Sequence, residues 1–375
     1  MFLSSLNNIS SSIKPVGYIS LLLSLILSTS IYILYIVKKS EMFLTQSKLL
    51  IASTPYVFIM IVGLIKNPSG LSTFLQILLL FGLMVAFSVI KWEFNEFKIL
   101  GTITIVFVLI QTIIWSIQGF PKFFESIYGL SNLVGSYMLY CIIILFLVNS
   151  NSKVKYIYSI GIVLSFILIL ASETRSVLIA LLFFAFTYYA WNLIIKSKLS
   201  FIVYFLIMNI LTLSILFIYP KVPSFKYFNE FESFMIANTG KSIMSGRQVI
   251  WDALQKKAVE FPLFGHGTGI QNHQISALDQ SSHNLYLQVV IQNGYLGLAS
   301  FMFLLFSVWL IFWNGRRNKN VRIVASALIA TIIYQSFEIT LIQNALSIGI
   351  IQWAIIGIGI SSCIYQKECS VLNLR

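Results

Sequence analysis

The sequence predicts an all-α, polytopic integral membrane protein with about eleven transmembrane helices and one large outward-facing loop. Three observations carry that expectation. Hydrophobic residues make up 58% of the 375 residues, and charged residues only 10%. Mean hydropathy is +0.88. Apolar runs of near membrane-spanning length recur along the chain, separated by short polar joints. A soluble domain carries about 25% charged residues, so most of this surface must face lipid. A net charge of +13 would suggest nucleic acid as a partner in a soluble chain. Here the short loops hold much of it, as membrane proteins do, and no nucleic-acid partner is expected. The cysteines, Cys141, Cys363 and Cys369, all lie outside the large loop, so neither a disulfide framework nor a thiolate metal site is indicated.

Spans are expected near 16–37, 49–65, 71–90, 99–116, 132–149, 154–171, 177–194, 200–219, 287–313, 323–341 and 345–364. The first sits where a signal peptide would. It lacks a small-residue cleavage site and is followed by Lys38 and Lys39, which marks a retained helix. The charges then set direction. With the N-terminus outside, the cytoplasmic ends hold Lys38, Lys39, Lys48, Lys91, Lys98, Lys153, Lys155, Lys196, Lys198, Arg316, Arg317, Lys319, Arg322, Lys367 and Arg375. The opposite short loops hold only Lys14, Lys66, Lys122 and Arg175, a strong positive-inside bias. The expected organisation is a bundle of about eight helices over 1–219, an outward loop with short interfacial helices over 220–286, and about three helices with a cytoplasmic tail over 287–375.

That loop gathers all three histidines with a concentration of charged residues, and three local patterns mark its side of the membrane. Ser172-Glu173-Thr174-Arg175 interrupts two apolar helices and reads as a tight hairpin tip. An arginine at the lipid boundary is costly unless it snorkels or pairs. Pairing with Glu173 is therefore the plain structural role of Arg175, and ligand binding the functional one. Ser245 as N-cap with Gln248 three residues into the helix forms a capping box, with Pro262 as the stop. The apolar stripe that follows, Val249, Ile250, Ala253, Leu254, Ala258 and Phe261, suits a helix lying on the membrane surface. Arg247 in its first turn opposes the helix dipole, and an arginine beside free backbone N–H groups suits a phosphate; the alternative is a solvated arginine. The third pattern is Pro262-Leu263-Phe264-Gly265-His266-Gly267-Thr268-Gly269, then His283-Asn284, nine residues, and Gly294-Tyr295-Leu296-Gly297. Its glycines lack the strand–helix context of a nucleotide loop. Imidazole is the side chain that titrates nearest neutral pH, which makes His283 the best general-base candidate, against a hydrogen-bonded interfacial role.

Together these residues resemble the O-antigen ligase and polymerase superfamily of bacterial cell-envelope glycosyltransferases. The resemblance rests on His283, Asn284, Gly294 and Gly297, on Arg175 at the hairpin tip with Thr174 in place of the usual Ser, and on Arg247, Trp251, Pro262, Gly265 and Gly267 in family order. It is specific from about residue 165 to 300. The family implies a GT-C-like, metal-independent, inverting glycosyltransferase with no cofactor, multi-pass in the bacterial inner membrane, its active site on the periplasmic or extracellular face. The implied donor is a glycan on undecaprenyl diphosphate. The acceptor is a sugar hydroxyl on a second lipid-linked glycan or on lipid A core. Membrane lipid, and a chain-length regulator, are further partners it suggests. Family members commonly have twelve spans and a cytoplasmic N-terminus, from which this reading departs.

In such a reaction Arg175 and Arg247 would clamp the diphosphate and His283 would take the acceptor proton. Asn284 would orient His283 or a sugar, and Gly294 and Gly297 would let helices approach closely. Glu338, near the outer end of the tenth span, would pair with Arg175 or Arg247, or serve as a second carboxylate base. His266 and His273 fall off the motif. The early outer loops offer only Glu125 near Lys122 and Asp279 is isolated, so no metal site is expected. Two other classes compete. A lipid-linked glycan transporter or flippase would bury ionisable groups at mid-membrane, whereas these spans are nearly charge-free. A scaffold of an export complex would need neither the arginines nor the histidine. Polymerase and ligase share these motifs; polymerase is favoured because polymerases are the commoner members.

Overall fold

The computed structural model describes residues 2–8, 14–38, 43–152, 155–239, 242, 244, 246–276 and 280–372. Lys39, Lys153, Ser245, Asp279 and Arg375 lie outside the described residues, as do the side chains of Lys38, Lys367 and Cys369. Among the described residues the chain is helical without strands. The first half comprises α1 (Lys14–Lys38), α2 (Phe43–Lys66), α3 (Leu71–Val89), α4 (Phe94–Ile117), α5 (Ser131–Asn151), α6 (Lys155–Ser172), α7 (Arg175–Tyr189), α8 (Trp191–Ile194) and α9 (Lys198–Ile218). Three short helices follow in the large loop: α10 (Phe228–Thr239), α11 (Arg247–Ala258) and α12 (Asn272–Ile275). The chain then returns through α13 (Leu285–Asn314), α14 (Lys319–Tyr334) and α15 (Leu346–Leu372).

Nine of the described helices are long and apolar enough to cross a membrane. The two remaining expected spans are shorter. The seventh, expected over 177–194, divides at Ala190 into the 15-residue α7 and the single turn α8. The tenth, expected to reach 341, stops at Tyr334 after 16 residues. At 1.5 Å per residue these two helices fall short of a hydrocarbon core of about 30 Å. Beyond Tyr334 the chain leaves the helix at Gln335-Ser336-Phe337-Glu338, and side chains take over its backbone bonding. Gln335 accepts from the N–H groups of Thr340 and Leu341 and donates to the Thr340 hydroxyl. Gln352 bridges that hydroxyl to Tyr140 at 2.8 and 2.7 Å. Non-helical backbone in an apolar setting persists only with such partners.

α5, α14 and α15 are buried on nearly every face and form the centre of the bundle. A helix that is hydrophobic all round belongs there. α1, α4, α6 and α9 keep one apolar face exposed. The turns alternate between two ends. At one end Trp191 donates to the Arg316 carbonyl, Asn151 to Asn320, Arg322 to the Tyr188 carbonyl and Ser361 to the Ile90 carbonyl. At the other end the α2–α3 turn, the α4–α5 loop, the α6–α7 tip, the large loop and residues 335–345 meet. A 3-10 turn at Phe2–Asn8 inserts at this second end, with Asn8 on Tyr137 and Ser347 and Tyr128 donating to Ser5. Most basic residues of the short connections, among them Lys91, Lys98, Lys155, Lys196, Lys198, Arg316, Arg317 and Lys319, belong to the first end, while Lys66 and Arg175 lie at the second.

The large loop is fastened to a break in α13. Gly294 has φ 69 and ψ −174, a conformation essentially restricted to glycine. The break frees the carbonyls of Ile291 and Gln292 and the N–H groups of Tyr295 and Leu296, which an intact helix would join. The turn at 262–267 supplies every replacement. His266 and Gly267 donate to the Ile291 and Gln292 carbonyls at 2.8 and 3.0 Å, and Pro262 and Leu263 accept from Tyr295 and Leu296 at 2.7 and 3.3 Å. A Cβ on Gly294 would meet the Leu263 oxygen at 2.2 Å, and one on Gly265 would meet the Gln292 carbonyl carbon at 2.5 Å. Gly294 therefore admits a loop, not the close helix approach expected for it, while Gly297 sits beside Asn293 and Ile59.

The expectation for α11 needs two corrections. Its N-cap position is Gly246, in the left-handed region at φ 80, and its first residue is Arg247. Its apolar face packs on protein, not lipid. Ile250, Trp251, Leu254 and Ala258 are buried against Leu287, Val290 and Ile291 of α13 and Leu216 of α9, while Val249 and Phe261 stay exposed. The reason is the fastened turn that follows, which pulls α11 onto α13. Exposed Phe231 and Phe234 make α10 the better interfacial helix. Gly294→Ala is expected to cost on the order of 1–3 kcal/mol of strain before any clash. A fall in the thermal unfolding midpoint of the detergent-purified protein is the check.

Candidate active site at the loop end of the bundle

Arg175 opens α7 directly after the hairpin tip. Glu173 turns the chain at φ 52. Thr174, buried, holds the tip through the Ser172 hydroxyl at 3.0 Å and the Ser131 carbonyl at 3.3 Å. Arg175 Nη1 then donates to the Ser242 carbonyl at 3.1 Å. The expected pair with Glu173 is not formed, and among the described residues no carboxylate pairs with Arg175. The guanidinium is instead carried across to the large loop.

Arg247 lies opposite. Its Nη2 donates to Glu338 Oε1 at 3.0 Å, with both side chains mostly buried. Of the two pairings expected for Glu338, the structure makes this one. The carboxylate also offsets the unfavourable placement of a cation at a helix start. Asn132 Nδ2 donates to the same oxygen at 3.0 Å, and His283 Nδ1 lies 3.2 Å from Oε2. One carboxylate therefore joins Arg247, Asn132 and His283.

Asn284 makes that meeting possible through backbone bonds, not through the His283 ring. It is fully buried, its Oδ1 caps α13 at the Leu287 N–H, and its Nδ2 donates to the Ser336 carbonyl at 2.9 Å. With Leu285 N–H on the Gln335 carbonyl at 2.9 Å, the His283 segment is tied to the Glu338 segment. Trp251 Nε1 adds a bond to the Ser282 carbonyl at 2.7 Å, bringing α11 to the same strip of backbone. These ties hold His283 at φ 46, a conformation uncommon for a side-chain-bearing residue and persisting only where the surroundings enforce it.

Arg175 and Arg247 share the wall of one cavity of about 550 Å³. Its polar end includes Asn132, Glu173, Thr174 and Ser242; its apolar end is built by Ile179 of α7 and Leu211, Ile215 and Ile218 of α9. Ile179, Leu211 and Ile218 are exposed, so the apolar end opens sideways between two helices. His283 and Glu338 do not line the cavity and reach it through Arg247. Gly294 and Gly297 take no part in its wall. His266 belongs to the fastened turn, with Nε2 2.9 Å from the Lys257 carbonyl. Among the described residues, no group of three histidine, cysteine or acidic side chains is arranged to hold a metal.

Sequence reasoning did not single out Asn132 or Ser242. Asn132 had a signal: an amide at the head of an otherwise apolar span needs a polar partner. Ser242 contributes only its carbonyl to Arg175, which no residue type announces.

No curated protein matches the chain. Residues 160–302 match the O-antigen ligase family, a segment that runs from α6 through the hairpin tip and the whole loop to the break in α13. It contains Arg175, Arg247 and His283 and leaves out Asn132 and Glu338. The match supports a membrane glycan-handling function of the O-antigen ligase or polymerase type. Through residues 160–302 the chain matches an O-antigen ligase family domain, which supports a likeness to the O-antigen ligase and polymerase superfamily.

Proposed function

We propose that the protein is a metal-independent, inverting membrane glycosyltransferase that polymerises undecaprenyl-diphosphate-linked oligosaccharide repeat units. The observation that carries this reading is the single cavity with two guanidinium groups at one end and an apolar, laterally open wall at the other. A lipid diphosphate has the matching shape and charge. Its two phosphates suit paired arginines, which hold phosphate oxygens bidentately, and its chain suits the gap between α7 and α9.

In this reading the acceptor hydroxyl attacks C1 of the donor sugar from the face opposite the diphosphate. The new C1–O bond forms as the bond to phosphate breaks, and the electron pair leaves with the diphosphate. Arg175 and Arg247 stabilise that charge, and removing one such donor costs roughly 2.7–4 kcal/mol in comparable oxyanion sites. The hydroxyl proton passes to His283. With Nδ1–H donating to Glu338, the other ring nitrogen is left as the acceptor, the arrangement in which a carboxylate fixes a histidine base. Glu338 then acts as a positioning group rather than a second base.

The basic residues collected at the opposite end of the bundle support an outward-facing site in the bacterial inner membrane. The charge-poor centre and the terminal position of the charged cavity favour surface chemistry over a transporter or flippase. An O-antigen ligase, which would transfer the glycan to lipid A core oligosaccharide, is the second reading; it uses the same groups, and the matched family bears that description.

Purified protein supplied with a synthetic undecaprenyl-diphosphate oligosaccharide is expected to extend it, and with lipid A core present the products separate polymerase from ligase. His283→Ala is expected to slow transfer by about 10²–10⁴-fold; full activity would refute its role as base. Arg247→Ala, with the unfolding midpoint checked, is expected to weaken donor binding by roughly thirtyfold or more, and unchanged affinity would count against the clamp. Transfer is expected to survive EDTA, and its loss, restored by a divalent cation, would overturn the metal-independent mechanism.

A further inference from the structure

A second pocket of about 350 Å³ is lined by Ser281, two residues before His283, and is within the usual range of small-ligand sites, about 300–1,000 Å³. We propose that this pocket is the acceptor subsite and binds a neutral oligosaccharide through its hydroxyl groups, an assignment that rests on the transferase reading above. Its floor is Asn272, Gln288 and Gln343, all buried, and its rim includes Gln280, Ser281 and Asn344. No Lys, Arg, Asp or Glu lines it among the described residues, and the one titratable side chain in its wall is His273. Each amide carries both donor and acceptor positions, the pattern that suits a sugar hydroxyl; Gln288 is held by Ser282 and Ile270 and Gln343 by Gln292. The arginine-lined cavity and the amide-lined pocket thus divide the two substrates by chemistry.

Two further observations point to a ligand. Asn272 is 6% exposed, and its Oδ1 has no hydrogen-bond partner although its Nδ2 donates to the Gln280 carbonyl at 2.8 Å. A buried acceptor left unsatisfied is destabilising, and a bound hydroxyl would satisfy it. The pocket is also tied to the base. Ser281 Oγ accepts from Asn344 Nδ2 at 2.9 Å and from the His283 backbone N–H at 3.4 Å. The contacts therefore run from the amide-lined pocket through Ser281, His283, Glu338 and Arg247 to the charged cavity.

The test uses the full chain in nanodiscs and, as probe, the reducing oligosaccharide released by mild acid from the producing cell's own lipid-linked glycan. Saturation-transfer NMR reads sugar binding, and a separate titration reads affinity for the lipid-linked donor. Asn344→Gly removes one amide while keeping the left-handed backbone of that position (φ 59); Asn272→Leu removes the orphaned carbonyl. Each is expected to bind the oligosaccharide about tenfold more weakly with donor affinity and unfolding midpoint unchanged. Asn344→Gly alone decides the matter if Asn272→Leu does not fold. Wild-type binding in both variants, no binding by the wild type, or an equal loss of donor affinity overturns the proposal. Sugar binding that is lost in the variants, in a protein that transfers nothing, supports the pocket and sinks the transferase. Transfer unaffected by the variants does the reverse.

Discussion

The arrangement of this site depends on the Glu338 carboxylate. It accepts from Arg247 and Asn132 on one oxygen and lies against His283 on the other, so a cation, an amide and an imidazole from three separate parts of the chain are held in one place. A carboxylate this enclosed is tolerated because it is paired; removing one partner of such a buried pair typically costs about 3–5 kcal/mol. The constraint runs both ways. Without the carboxylate, Arg247 would be a cation at a helix start with no counter-charge, and His283 would have nothing to fix its ring.

The carboxylate can stand there because the bundle abandons regular helix in two places. α13 breaks at Gly294 and borrows backbone partners from the 262–267 turn. α14 stops at Tyr334, and Gln335 bonds the backbone that follows. The first break seats the loop, and with it α11 and Arg247, on the bundle. The second brings Glu338 back beneath the loop. Between them Asn284 caps α13 and grips Ser336, so the two irregular segments are fixed to each other. Positions held this way by packed helices and buried hydrogen bonds are the rigid kind that charge-stabilising chemistry requires.

Much of this is legible in the sequence, for identifiable reasons. The long spans follow from apolar run length, which the bilayer thickness dictates. The grouping of basic residues at one end follows from the charges of the short connections. Arg175 and Arg247 stand out because cations at those positions break local rules, and the cavity they share bears that tension. What stayed hidden depends on partners distant in the chain. The segment 335–341 reads as the end of the tenth span, and its departure from helix depends on Gln335, Gln352, Asn284 and Trp353, which bond it from elsewhere. Gly294 and Gly297 read as a helix-packing pattern, yet the purpose of Gly294 appears only when the turn at 262–267 is laid beside it. The stripe on α11 is the same whether it faces lipid or α13. Asn284 reads from the sequence as a residue that orients His283 or a sugar, but an Asn directly before an apolar run is also an N-cap signal, and capping is one of its two tasks.

The account reduces to a geometric claim: two arginines and a histidine, remote in sequence, address a single lipid-linked diphosphate at one end of a helical bundle. A density map of the protein with a non-hydrolysable undecaprenyl-diphosphate oligosaccharide bound tests it most directly. The account predicts the diphosphate within hydrogen-bonding distance of the Arg175 and Arg247 guanidinium groups, the prenyl chain leaving between α7 and α9, and the anomeric carbon turned toward His283. A diphosphate seated elsewhere, or one that leaves His283 facing away from the sugar, would contradict it.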